Sequence, residues 1–225
     1  MEAGMYLLVQ AHQYQQYAGL LDQSFRLRKK IFADRLGWNV SVSGFRERDH
    51  YDDLHPAYLL WCDESRTQLY GSVRLMPTTG PTLLYDVFRE TFPDTCNLVA
   101  PDIWEGTRMC VDEDAIVHDF QDMHPNRAFC LLLLAVCEVA LDNGINTMIS
   151  NYEPYMKRIY QKVGAEFDEL GRSHRFGRVP VCCGAFEVSK RVLVTMRHKI
   201  KVVAPLYRRS VFTRCIPPEP RQLSV

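Results

Sequence analysis

The residues of this 225-residue chain best suited to chemistry fall in four short groups. Trp104-Glu105-Gly106-Thr107-Arg108-Met109 sets a carboxylate and a guanidinium inside one strand-like run. A carboxylate in a partly apolar cleft has its pKa raised toward neutrality and becomes a proton acceptor. Strict alternation along a strand puts Glu105 and Arg108 on opposite faces, whereas a bulge at Gly106 would bring them together. Arg74 sits in the apolar run Gly71-Ser72-Val73-Arg74-Leu75-Met76, where an unpaired guanidinium is costly to bury. A carboxylate partner is therefore predicted, with Asp49 and Asp52 as suppliers. Residues 47–53 (ERDHYDD) either ligate a metal, hold a cationic group such as an ammonium or sulfonium, or form a solvated acidic loop. Arg28 and Phe32, four apart on an expected helix, share a face. An arginine on that apolar stripe either snorkels or meets an anion, and Trp38 follows just past the helix stop at Gly37.

Mixed elements must position these groups. A short strand is expected at Met5–Val9 and a helix over 15–36, followed by a polar, non-periodic stretch over 39–56 that is too charged for core. Strands follow at 58–62, 69–76 and 104–111, with 63–66 as the hairpin turn between the first two. Asn126 is the expected cap of a strongly apolar helix running to Leu141 and ended by Gly144. After it come a strand at 147–150, a helix at 154–163 stopped by Gly164, strands at 166–170 and 181–188, and a helix capped by Ser189 that runs to about Ile200. The fold class is α/β, a mixed central sheet flanked by helices. Residues 1–206 read as one domain, and 207–225 as a basic, Pro-rich tail that is partly disordered.

Composition narrows the function classes. Apolar residues make up 47% and charged residues 24%, with 27 basic side chains balancing 27 acidic ones. A chain this close to neutral has no general field for nucleic acid or an anionic membrane. No run approaches the ~20 apolar residues of a membrane span, and MEAGMYLLVQ lacks a secretory signal's basic and apolar regions. Cys62, Cys110, Cys130, Cys137, Cys182 and Cys183 fall mostly inside apolar segments without C-x-x-C spacing, which suits buried free thiols in a reducing cytosol. The histidines lack metal-ligand spacing, with His118-Asp119 and His124 in a polar connection. Phosphate-binding loops and the nucleophile elbow are absent. Tyr152, Tyr155 and Tyr160 read as packing of a surface helix.

In order, F-R-L-R-K-K-I-F-x-x-R-L-G-W (25–38), E-R-D-H-Y-D (47–52), G-S-V-R-L-M-P-T (71–78), L-L-Y-D-V-F (83–88) and W-E-G-T-R-M (104–109) resemble the LuxI-type autoinducer synthases, the acyl-homoserine-lactone synthase family. The resemblance runs from about Phe25 to Gly164, more weakly to Ile200. It implies a fold similar to N-acetyltransferases, helices on both faces of a splayed sheet, and a cytoplasmic enzyme that needs no metal or separate cofactor. S-adenosylmethionine is then a substrate, and an acyl thioester of acyl carrier protein or coenzyme A is the donor. The amine attacks the thioester, and the methionine carboxylate closes on its own Cγ, expelling methylthioadenosine.

The same resemblance puts Arg28, Phe32, Trp38 and Asp49 around S-adenosylmethionine, and Asp52 and Arg74 in a structural charge network. Glu105 assists deprotonation of the amine beside Arg108, while Phe88, Met109 and Thr147 belong to the acyl side. Met109 stands where the family commonly has an aromatic, and Gly106 is also unusual, so the acyl group is left open. Lys157, Arg158 and Lys162 are a candidate surface for an acidic carrier protein. Two other readings stay open: an N-acyltransferase acting on another amine, and a sensor that binds S-adenosylmethionine or a lactone without turnover.

Overall fold

The computed structural model describes residues 4–121 and 123–208. Among the described residues nine strands form, seven of them in one mixed sheet: β1 (Met5–Val9), β4 (Ala57–Cys62), β5 (Leu69–Pro77), β6 (Ile103–Val111), β7 (Thr147–Tyr152), β9 (Val181–Glu187) and β8 (Phe167–Ser173), in that spatial order. Neighbours are antiparallel except β6 and β7. A parallel pair needs a long crossover. Here it runs through α3 (Glu113–Asp119) and α4 (Pro125–Asp142). The remaining strands, β2 (Val42–Ser43) and β3 (Arg46–Glu47), make a small separate ribbon.

β4 and nearly all of β5 are buried, as central strands covered on both faces must be. One face packs against α4, a helix apolar nearly all round, with α3, α5 (Met156–Val163) and α6 (Lys190–Ile200) beside or beyond it. The other face carries α1 (Ala18–Arg28) over β1, β4 and β5. Over β6, β7 and β9 on that face lies a flap that contains α2 (Leu83–Asp86).

Several elements depart from the sequence reading, each for a local reason. The first helix begins at Ala18, and after Arg28 it widens into i→i+5 turns over Lys29–Arg35, such as Leu36 N–H to the Ile31 carbonyl. Widened turns of this kind re-aim side chains and occur often at functional sites. His124, not Asn126, caps α4, accepting from the Asn126 N–H at 3.1 Å with Pro125 in the first turn. The stretch 39–56 is not excluded from the core: Glu47, Tyr51 and Asp52 are buried in it. His118 and Asp119 end a helix, α3, capped by Asp112. The chain is still tied to the helices and sheet at residues 206 and 207. The Leu206 and Tyr207 N–H groups donate to buried Glu138 of α4, at 2.9 and 2.8 Å, and Tyr207 bridges to Tyr6 of β1. Residues 209–225, most of the expected tail, lie outside the described residues.

Candidate active site

Three arginines and three carboxylates close a ring on the α1 face of the sheet. Arg28 Nε donates to Glu47 at 2.5 Å, and its two terminal nitrogens grip both Asp52 oxygens at 2.8 Å. Asp52 also lies 3.0 Å from Arg74, and Arg74 in turn holds both oxygens of Asp49. Asp49 passes to Arg108 at 2.9 Å, and Arg108 Nε returns to Glu47 at 3.1 Å. Every charged group therefore touches two of opposite sign, and the six sum to zero. Such pairing is what makes burial of six charges tolerable. Tyr58 adds a hydroxyl donor to Asp52 at 2.6 Å. Burial opposes ionisation of Asp52, but Arg28, Arg74 and Tyr58 outweigh it and hold its pKa well below the usual carboxylate range.

Local sequence builds the ring. In Asp49-His50-Tyr51-Asp52 the Asp49 side chain accepts from the Tyr51 N–H, and Asp52 accepts from the Asp49 N–H at 2.9 Å. This reciprocal cap aims both carboxylates inward. On β6 the pairing slips: Arg74 faces Thr107, yet Ser72 faces Cys110, leaving Arg108 and Met109 opposite Val73. Arg108 takes a left-handed backbone, φ 53°, uncommon for a residue with a side chain. The bulge thus sits at Arg108, not Gly106. Its effect is the one a bulge has to produce, since Arg108 joins Glu105 on the ring face. Met109 turns to the other face and packs into the α4 core, away from Glu105.

Glu105 is fully buried, and its two oxygens accept from the backbone N–H groups of Leu83 (3.1 Å) and Leu84 (2.8 Å). Burial pushes its pKa up to about 7, although those N–H groups, Arg74 and Arg108 pull the other way. It stands where the sheet opens. β6 and β7 pair only at Ile103↔Thr147, Trp104↔Met148 and Glu105↔Ile149, and beyond that point Ser150 Oγ reaches the Gly106 carbonyl at 2.9 Å.

Phe32 stacks on Trp38, centroids 5.2 Å apart, because the Trp38 N–H folds back to the Phe32 carbonyl at 2.8 Å. The Arg108 guanidinium lies over Phe32 at 5.6 Å, so this pair borders the Arg108–Asp49 corner. That corner is the accessible part of the ring, with both side chains 11% exposed. Trp38 is 40% exposed and its ring N–H donates to Glu153. Arg28 is only 1% exposed, and Glu47 and Asp52 take up its donors. Phe88 packs with Tyr51, Met76 and Leu83. Thr147 pairs with Ile103 at the start of β7, and its hydroxyl is taken by Asn146.

Sequence reasoning missed Glu47 as a ring member, Tyr58, and the flap N–H groups that hold Glu105. Glu47 had a signal, its place in a run with carboxylates at 47, 49 and 52. The flap had none, because backbone groups leave no trace in residue type. Elsewhere Tyr152 and Tyr160 pack with Phe167 and Phe186, and Lys157 pairs with Glu169.

A mixed sheet parted at a parallel pair, with helices on both faces, is the fold of the N-acetyltransferases. A putative N-acetyltransferase from Lactobacillus plantarum shares it, with TM-score 0.52 at 15% identity over 82% of this chain and 99% of that one. The chain itself belongs to the autoinducer synthase family, whose family model ("Autoinducer synthase") matches residues 12–194. The acyl-homoserine-lactone synthase of Rhizobium etli is 40% identical over 182 residues, 80% of this chain and 82% of that protein. The coenzyme A-dependent acyl-homoserine lactone synthase BjaI, solved with S-adenosylmethionine and isopentyl-CoA, superposes with TM-score 0.78. Its identity is 26%, covering 90% of this chain and 92% of that one.

Proposed function

We propose that this enzyme makes an N-acyl-homoserine lactone by presenting the amine of S-adenosylmethionine to an acyl thioester beside Glu105. One observation carries the reading: a buried carboxylate with a pKa near 7 stands at the opening between β6 and β7, on the same face as Asp49 and Arg108. The substrate amine is an ammonium at neutral pH and must lose a proton before it attacks, and a base with this pKa takes that proton efficiently. The N–C bond then forms, the thioester C–S bond breaks, and the amine's second proton goes to the departing thiolate. Next the carboxylate oxygen of the acylated product attacks its own Cγ. The bond to the sulfonium breaks with its electron pair on sulfur, releasing neutral methylthioadenosine. That step needs no proton.

Phe32 and Trp38 offer aromatic faces to a sulfonium, and Asp49 and Glu153 offer negative charge near the same corner. Phe88 and Thr147 border the flap side, where the cluster of Leu84, Phe92, Leu98, Ile149 and Cys183 gives an apolar bed for an acyl chain. Among the described residues no helix is long and apolar enough to cross a membrane. The buried free thiols Cys62, Cys110, Cys130, Cys137, Cys182 and Cys183 support a reducing, cytoplasmic setting.

The donor is an acyl thioester of coenzyme A or acyl carrier protein. Of the three basic residues suited to a carrier protein, Arg158 and Lys162 are exposed, whereas Lys157 is paired with Glu169. Reversing the charge of Arg158 and Lys162 together is expected to raise KM for an acyl-carrier-protein donor about tenfold and leave KM for acyl-CoA unchanged. Steady-state kinetics with both donors checks this, and an unaltered KM for the carrier protein removes the surface from the account.

A further inference from the structure

The flap that grips Glu105 is itself clamped. Thr91, fully buried, donates its hydroxyl to the Phe88 carbonyl at 2.6 Å and accepts from Asn151 Nδ2 of β7 at 2.9 Å. Its own carbonyl lies so close to β8 that a Cβ on Gly171 would stand 2.7 Å from it, so only glycine admits this approach. β8 changes register between Glu169 and Gly171, which brings the glycine under the flap. At the other end of the flap the Tyr51 hydroxyl donates to Asp86 at 2.9 Å, tying α2 to the turn that carries Asp49 and Asp52. Leu83 and Leu84, the donors to Glu105, open the same short helix that Asp86 ends, and the Phe88 N–H bonds back to the Leu83 carbonyl at 2.9 Å, which joins them to the Thr91 clamp.

We infer that Thr91 is a positioning residue for Glu105, acting through the flap whose two backbone N–H groups hold that carboxylate. The inference rests on the reading of Glu105 as the base. Hydrogen bonds from N–H groups favour the ionised carboxylate. The other groups facing Glu105 are Arg74 from β5, Arg108 from β6, Tyr51 from the acidic turn and Cys183 from β9. Arg74 and Arg108 are held by the ring, whereas Cys183 hydrogen-bonds Thr91 and Tyr51 is tied to the flap through Asp86. Loosening the clamp weakens the Leu83 and Leu84 donors, leaving burial to dominate. Glu105 then stays protonated to higher pH.

The test is the pH profile of kcat/KM for S-adenosylmethionine in the wild type, Thr91→Val, Thr91→Ser, Gly171→Ala and Glu105→Gln. Thr91→Val and Gly171→Ala should move the acid limb about one unit to higher pH. Thr91→Ser, which keeps the hydroxyl, should restore the wild-type limb, and Glu105→Gln should have none. If Glu105→Gln abolishes the limb while both clamp variants leave it in place, Thr91 is merely structural and the inference is wrong. If Glu105→Gln keeps both limb and rate, the assignment of Glu105 as base falls, and this inference with it.

Discussion

Glu105→Gln is expected to lower kcat by about 100- to 10,000-fold while S-adenosylmethionine still binds with a Kd within a few-fold of the wild type. The amide keeps the shape of the side chain but cannot take a proton from the substrate ammonium. One of its ends must also face a backbone N–H of Leu83 or Leu84 with another N–H, so a stability loss of about 1–3 kcal/mol accompanies the change. Calorimetric titration separates binding from turnover. A variant that binds and turns over normally removes Glu105 from the mechanism.

The pH dependence has a definite sign. The base form is the active one, so kcat/KM should rise with pH through about 7 and then level, and this limb should vanish in the variant. The stability contribution runs the other way. The folded-state pKa of Glu105 lies above its ordinary value of 4.5, so the folded protein holds the extra proton between the two. Stability from this group is therefore fully present below about 4.5 and declines as pH rises through about 7, by something on the order of 3 kcal/mol. The carboxylate is most comfortable where it is least active.

Arg74→Ala should destabilise the fold by about 3–5 kcal/mol, because it opens the ring and leaves Asp49 and Asp52 each with one arginine in a buried setting. Against the 5–15 kcal/mol typical of a folded domain, as an order of magnitude, such a loss appears as poor soluble yield and a lower urea midpoint. A loss below about 1 kcal/mol would mean that the ring relaxes around the gap and that its closure matters little. Acid should act on the same ring. The depressed pKa of Asp52 makes its contribution fully present above the unfolded carboxylate range and lost as pH falls through and below it.

What the sequence makes legible follows from what residue type and spacing encode. Alternation and apolar runs mark the strands of the sheet, and glycines at 37, 144 and 164 mark helix ends, each with a positive φ. A guanidinium in the middle of β5 announces that carboxylates must come to it, and Asp49 and Asp52 do. Burial of the acidic turn is not legible, because a run such as ERDHYDD looks solvated until three arginines from α1, β5 and β6 surround it. The Arg108 bulge is hidden for a related reason. Its left-handed backbone is uncommon for arginine and is maintained by ion pairs to Glu47 and Asp49, so no local preference announces it. Met109 leaves the face of Glu105 as a direct consequence, since one inserted residue flips every side chain beyond it. Glu105 is conspicuous by type, whereas the N–H groups that hold it belong to the backbone of a flap and leave no mark in residue type.

The most direct test of the account is mass spectrometry of the products formed when the purified protein is incubated with S-adenosylmethionine and a panel of acyl-CoA and acyl-carrier-protein thioesters. Methylthioadenosine is expected in equal amount with one predominant N-acyl-homoserine lactone, and the Glu105→Gln variant should form neither product at the wild-type rate. Acylation of a different amine with no methylthioadenosine, or binding of S-adenosylmethionine without turnover on any thioester, would contradict it.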